Sequence, residues 1–252
     1  MATHIVSGAS RGVGEAIAAR LLERGDCVAG IARSRSARLD RLAAQAAGRL
    51  FWYERDLSDP GRVDATIDQV LSDTGAADDR LVSFFAAAAR LEPIGTAGMP
   101  PTAEIDATFR LNLTTPVAMT HRLLQALARS AATLRIVLLS SGASRRPMPG
   151  LGIYGGSKAG LNAVVASIQA ELDQREVGGR AAIWAVSPGI VDTAMQETMR
   201  AQDPAALPER DTYRSWYAEG QLSSPEEAAA RVISVIERDD LQPGSYIHVR
   251  DL

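Results

Sequence analysis

Short apolar runs alternate with longer amphipathic stretches from one end of the chain to the other. The runs 4–8 (HIVSG), 27–32 (CVAGIA), 49–54 (RLFWYE), 80–86, 134–140, 181–187 and 245–249 are mostly rich in Val, Ile and aromatic residues. Several are apolar at consecutive positions, so both of their faces need cover, as in a parallel sheet layered with helices. Between them, segments 13–24, 36–47, 60–74, 102–129, 155–176 and 225–238 carry apolar residues at helical spacing. The last opens on Ser224-Pro225-Glu226-Glu227, which supplies a cap, a first-turn proline and early acids. The alternation predicts a doubly wound α/β fold of about seven parallel strands with right-handed crossovers. No repeat, low-complexity tract or linker divides residues 1–252, so a single domain is expected.

Segment 190–224 breaks the rhythm, with Met195, Met199, Pro204, Pro208, Tyr213, Trp216 and Tyr217 but no clear strand. Ligands in such folds bind beyond the carboxyl ends of the strands, so this insertion is expected to cover a substrate. A plain helical excursion whose aromatics belong to the core is the competing reading.

Composition narrows the partners. With 252 residues, 46% hydrophobic and 23% charged, the chain is globular in character and long enough for one large domain. A net charge of −3 leaves no cationic surplus for a phosphate backbone, which argues against nucleic acid. Cys27 is the single cysteine and cannot close an internal disulfide, which fits a reducing cytoplasm. The start MATHIVSGAS has no basic stretch before an apolar run, and no run of about 18 apolar residues occurs, so neither a signal peptide nor a membrane span is expected. Every basic residue except Lys158 is arginine. Either the one lysine falls there by chance, or the position needs a compact point charge in place of a planar fork.

The first run leads into Ser7-Gly8-Ala9-Ser10-Arg11-Gly12-Val13-Gly14-Glu15 and then a helix. Gly8, Gly12 and Gly14 let the backbone turn tightly and approach a pyrophosphate, toward which the helix points its positive end. An NAD-selective site places an acid about 20 residues further on. Here that neighbourhood reads Ile31-Ala32-Arg33-Ser34-Arg35, with no acid. Arg33 and Ser34, together with Arg11, suit the extra phosphate of NADP(H). Solvated surface arginines are the alternative, which leaves the missing acid unexplained.

Tyr154-Gly155-Gly156-Ser157-Lys158 sets a phenol and an ammonium four residues apart on one helix face. Ser140-Ser141 stand just past the run LRIVLL, and Asn112, one of two asparagines with Asn162, lies in an apolar helical stretch. Taken singly, a surface tyrosine with a solvated lysine, and an asparagine bonding its own backbone, are sufficient readings. Together with the glycine turn, Ser187-Pro188-Gly189 and Thr193, these residues resemble the short-chain dehydrogenase/reductase superfamily, in order and over essentially the whole chain.

That resemblance implies a Rossmann-type fold and an NADP(H)-dependent carbonyl reductase. Tyr154 would be the acid/base, Lys158 would tune it and hold the nicotinamide ribose, Ser141 would donate to the substrate oxygen, and Asn112 would hold a water in a proton relay. Ser140 competes with Ser141, and only the spacing to Tyr154 favours the second. Ser10, Arg11 and Val13 join the three glycines around the cofactor. Asp56 and Leu57 flank the adenine, Ala87 lies nearby, and Pro188, Gly189, Val191 and Thr193 lie at the carboxamide. A free phenol, with pKa about 10, is a sluggish proton donor, and a neighbouring ammonium is expected to lower that value.

Where the family usually shows Asn-Asn-Ala-Gly after the fourth strand, this chain reads Ala86-Ala87-Ala88-Ala89. The lost side-chain hydrogen bonds, about 1 kcal/mol each, predict a modified cofactor pocket with intact chemistry. Arg90-Leu91-Glu92-Pro93-Ile94-Gly95 and the ending Gly244–Val249 look like the sepiapterin reductase and benzil reductase branch, which reduces one carbonyl of an α-dicarbonyl. His248 stands where pteridine-reducing members carry an acid, with Asp251 close by, so a neutral ketone, vicinal diketone or imine fits better than a pterin. No histidine suggests a metal site. A non-catalytic NADP-binding regulator and a dehydratase or isomerase on the same fold are the alternatives. A homodimer or homotetramer is expected through helices 102–129 and 155–176, unless the internal core consumes their apolar faces.

Overall fold

The computed structural model describes residues 2–45, 49–175 and 180–252. The strands are β1 (Ala2–Ser7), β2 (Cys27–Ala32), β3 (Arg49–Glu54), β4 (Leu81–Ala86), β5 (Thr133–Leu139), β6 (Ala181–Ser187) and β7 (Tyr246–His248). They form one parallel sheet in the order β3-β2-β1-β4-β5-β6-β7. The chain therefore winds outward from β1 to β3, returns, and winds the other way from β4 to β7. This is a single α/β domain of Rossmann type, with its switch point between β1 and β4.

Consecutive apolar residues in the central strands serve two cores. Ile5, Phe84 and Ile136 face one layer, while their neighbours Val6, Phe85 and Val137 face the other. Each such side chain gains roughly 1.5–3 kcal/mol by burial, so neither face can be left to water. Helices α1 (Gly12–Glu23), α2 (Ala37–Gln45) and α9 (Pro225–Ser234) cover the second face; α3 (Val63–Thr74), α5 (Thr115–Ala126) and α6 (Gly152–Asp173) cover the first. The Ser224 capping box starts α9 as the sequence suggests. The last residues of segments 36–47 and 155–176 lie outside the described residues.

Segment 102–129 is not one helix. It divides into α4 (Thr102–Phe109), a π-helical turn Arg110–Thr114, and α5. Pro116 has no N–H to return to the Asn112 carbonyl, so a regular α-helical ladder cannot run through this point. The apolar faces considered for a subunit contact are divided between full and partial burial in this chain. Leu161, Val165, Ile168 and Leu172 are buried in the first core, and Leu111, Val117 and Leu124 pack against it.

Segment 190–224 folds into α7 (Ala194–Ala201) and α8 (Arg210–Ala218). Its ends are tied together: Val191 bridges Ser223, the Ser223 N–H donates to the Ile190 carbonyl, and the Asp192 N–H donates to that of Ser223, both at 2.9 Å. Among the described residues no helix is long and apolar enough to cross a membrane.

Candidate active site

β1 delivers the chain to a turn at Gly8, whose φ is +71°. A Cβ there would stand 2.6 Å from the Ala88 nitrogen, and one at Gly14 would overlap the Gly8 carbonyl, so neither position admits a side chain. Gly12 borders Thr193, which closes the turn from the β6 side. Arg11, extended at the start of α1, makes no side-chain cap to the helix. The first amides of a 12-residue helix thus lie behind a glycine cradle, which is the donor set a pyrophosphate needs. Ala87 packs on this turn, and Ser7 accepts the Ala88 N–H at 3.3 Å where the family's asparagines are missing.

Past β2, Arg33 and Ser34 are exposed. Arg35 is committed elsewhere, bonded to Asp40 at 2.6 Å and stacked over Trp52. Asp56 is held below its usual range mainly by the Ser58 N–H, with Arg33 adding to the effect. Leu57 is buried, and its carbonyl accepts from Thr115 at 2.7 Å, which ties this loop to the start of α5. Pro188, Gly189 (φ +82°) and Val191 follow β6. His248 lies beside Gly189 and is satisfied locally, its Nδ1 accepting the Arg250 N–H at 3.2 Å.

The turn at Gly150 (φ +88°) precedes α6, which carries Tyr154 and Lys158 one turn apart. Both are buried, with 8% and 3% exposure. The Lys158 Nζ lies 5.9 Å from the centre of the Tyr154 ring and donates to the Leu139 carbonyl at 2.7 Å. Burial pushes the Tyr154 phenol up, and a hydrogen bond with Ser141 partly offsets this. Burial also brings Lys158 down to about 8. The expected lowering of the phenol by the ammonium is therefore corrected: loss of water governs both groups, and the ammonium is aimed at a carbonyl. At neutral pH a lysine of pKa about 8 is still mainly charged.

The two serines separate clearly. Ser140 is buried and donates to Asn162 at 2.7 Å, within a network that includes Ser144, whereas Ser141 is the serine whose hydroxyl acts to lower the Tyr154 phenol. Asn112 is fully buried, and both ends of its amide are engaged. Its Oδ1 accepts the Arg90 N–H at 2.9 Å, and its Nδ2 donates to the Arg90 carbonyl at 2.8 Å and to Ser157 at 3.1 Å. The side chain is a clamp on the chain leaving β4.

The family model for short chain dehydrogenase matches residues 2–204. This chain belongs to the short chain dehydrogenase family. Benzil reductase ((S)-benzoin forming) of Bacillus cereus is 27% identical over 248 residues, covering 97% of this chain and 98% of that one. Sepiapterin reductase of Rattus norvegicus is 27% identical over 153 residues, 60% and 55% of the two chains. The crystal structure of the KRED1-Pglu enzyme superposes with a TM-score of 0.83 at 26% identity, over 98% of this chain and 100% of that one. The branch suggested by the sequence is thereby supported, and the chain is a short chain dehydrogenase oxidoreductase.

Three features of this short chain dehydrogenase escaped the sequence reading. Ser157 links Asn112 to the Tyr154 carbonyl, donating to it at 2.7 Å. Asn162 anchors Ser140, and its scarcity was the available clue. Pro116, four residues after Asn112, marked the helix break. Met199, Leu207 and Tyr213 join Leu91, Leu151 and Tyr154 in one apolar cluster.

Proposed function

We propose that this short chain dehydrogenase is an NADPH-dependent reductase of a small ketone, vicinal diketone or imine, with Tyr154 as proton donor and 190–224 as the cover of its substrate. The observation that carries the reading is a phenol and the only lysine buried one helical turn apart, beside Ser141 and beneath an apolar cluster. The name of the Bacillus cereus relative points to a vicinal diketone as the substrate class.

Bound NADPH would supply the hydride. Gly8, Ser10, Gly12, Val13, Gly14 and the start of α1 would hold its pyrophosphate, and Arg11, Arg33 and Ser34 its 2′-phosphate. Asp56, Leu57 and Ala87 would flank the adenosine; Pro188, Gly189, Val191 and Thr193 would meet the carboxamide. Ser141 donates to the substrate oxygen as charge grows on it. Tyr154 delivers the proton, and its raised pKa keeps that proton in place until it is needed. Lys158 spends one donor on Leu139, which leaves two for ribose hydroxyls and for steadying the phenolate. Reprotonation then passes through a water on the Asn112 carbonyl. The cover 190–224 excludes solvent, which strengthens each of these interactions.

The test follows oxidation of NADPH by its near-ultraviolet absorbance with benzil and a panel of ketones. Tyr154→Phe is expected to lower kcat roughly 10²–10⁴-fold while NADPH still binds. Tight NADPH binding without turnover of any carbonyl would favour the regulator instead.

A further inference from the structure

Tyr213 stands out among the side chains of the insertion. It lies on α8, is 2% exposed, and presents its ring edge-on to Trp216 at 5.3 Å. It shares the apolar cluster of Tyr154. Its hydroxyl is buried with no hydrogen-bond partner among the described residues. A buried tyrosine hydroxyl normally finds a partner, and leaving one unpaired is costly. Phenylalanine would fill the same space without that cost, so packing alone does not account for the oxygen.

We infer that the Tyr213 hydroxyl is a second oxygen-binding donor of the active site, receiving the carbonyl of a vicinal diketone that is not reduced. The inference rests on the reductase reading and specifies its substrate. Ser141 and Tyr154 serve the oxygen that takes up the proton. A vicinal diketone brings a second acceptor on the adjacent carbon into the same apolar surroundings. A donor on the cover meets that acceptor, and a monoketone leaves the donor unmet. The phenol suits the task because burial, with help from Glu209 and Tyr154 and against Arg146, pushes it up to about 12, so it stays a donor at any working pH. Only the first carbonyl changes: hydride goes to its carbon and the Tyr154 proton to its oxygen. The second carbonyl leaves intact in an α-hydroxy ketone. Holding it also fixes which face of the first carbonyl is turned toward the hydride.

The experiment compares benzil with deoxybenzoin, a monoketone of the same framework, in the unaltered enzyme and in Tyr213→Phe. The expected result is a roughly tenfold fall in the ratio of kcat/KM for benzil to that for deoxybenzoin, the weight of one neutral hydrogen bond, carried mainly by KM for benzil. The enantiomeric excess of the benzoin should fall with it, and the melting temperature should hold or rise. Equal losses on both ketones, or a marked fall in melting temperature, would assign the hydroxyl to packing of the cover and overturn the inference while the reductase reading stands. An unaltered enzyme that binds NADPH but reduces neither compound would overturn both.

Discussion

Asn112 grips Arg90 by both of that residue's backbone groups, accepting its N–H and donating to its carbonyl. A single side chain thereby fixes the chain just beyond β4 to the π-helical turn and, through Ser157, to the helix that carries Tyr154. Removing it strands groups that water cannot easily reach. Asn112→Ala is expected to lower stability by about 2–4 kcal/mol, from two or more buried polar groups left unpaired. Urea unfolding measures this, and a loss below about 0.5 kcal/mol would show that the clamp is not needed.

The lowered pKa of Lys158 predicts a pH dependence of stability and, on the proposed function, of activity. Its folded value of about 8 lies below the ordinary 10.5. Between those values the unfolded chain holds more protons, so stability rises with pH across that window and the penalty of burying the charge is complete below it. Relative to the unaltered protein, Lys158→Met should lose up to about 3 kcal/mol of its stability advantage between pH 8 and 10.5. In the unaltered enzyme kcat/KM for reduction should decline as pH passes about 8, since the phenol remains protonated there. A flat profile across that range would remove Lys158 from the chemistry.

The proposed function assigns cofactor choice to Arg33, exposed beyond β2 where no acid stands. On that reading, Arg33→Asp would remove the charge that meets the 2′-phosphate and would offer an acceptor to a ribose hydroxyl. Affinity for NADPH should fall roughly ten- to a hundredfold and that for NADH should improve, as read by fluorescence titration. An unaltered preference would move the selectivity elsewhere.

His4 gives the fold its own acid sensitivity. It is buried, bonded through Nδ1 to Ser83 at 2.6 Å and 3.3 Å from Asp26, and burial lowers its pKa from 6.5 although Asp26 opposes this. The unfolded chain takes up the proton first as pH falls below about 6.5, so stability is lost from there downward. His4→Gln should flatten that part of a plot of unfolding free energy against pH. An unchanged slope would place the acid sensitivity in other groups.

Strand and helix positions were legible because period and burial are local properties: CVAGIA, RLFWYE and AAIWAVS became β2, β3 and β6 residue for residue. The Tyr154/Lys158 spacing was legible for the same reason, since four residues always meet on one helix face. What needed the folded chain was everything set by groups far apart along it. The engagement of Ser140 depended on Asn162, and that of the Asn112 amide depended on Arg90 and Ser157. The direction in which the phenol and the amine shift depended on how much water the fold removes. Patterning carries which residues are brought to the crevice. Hydrogen-bond satisfaction and desolvation there are sums over neighbours that only tertiary packing supplies.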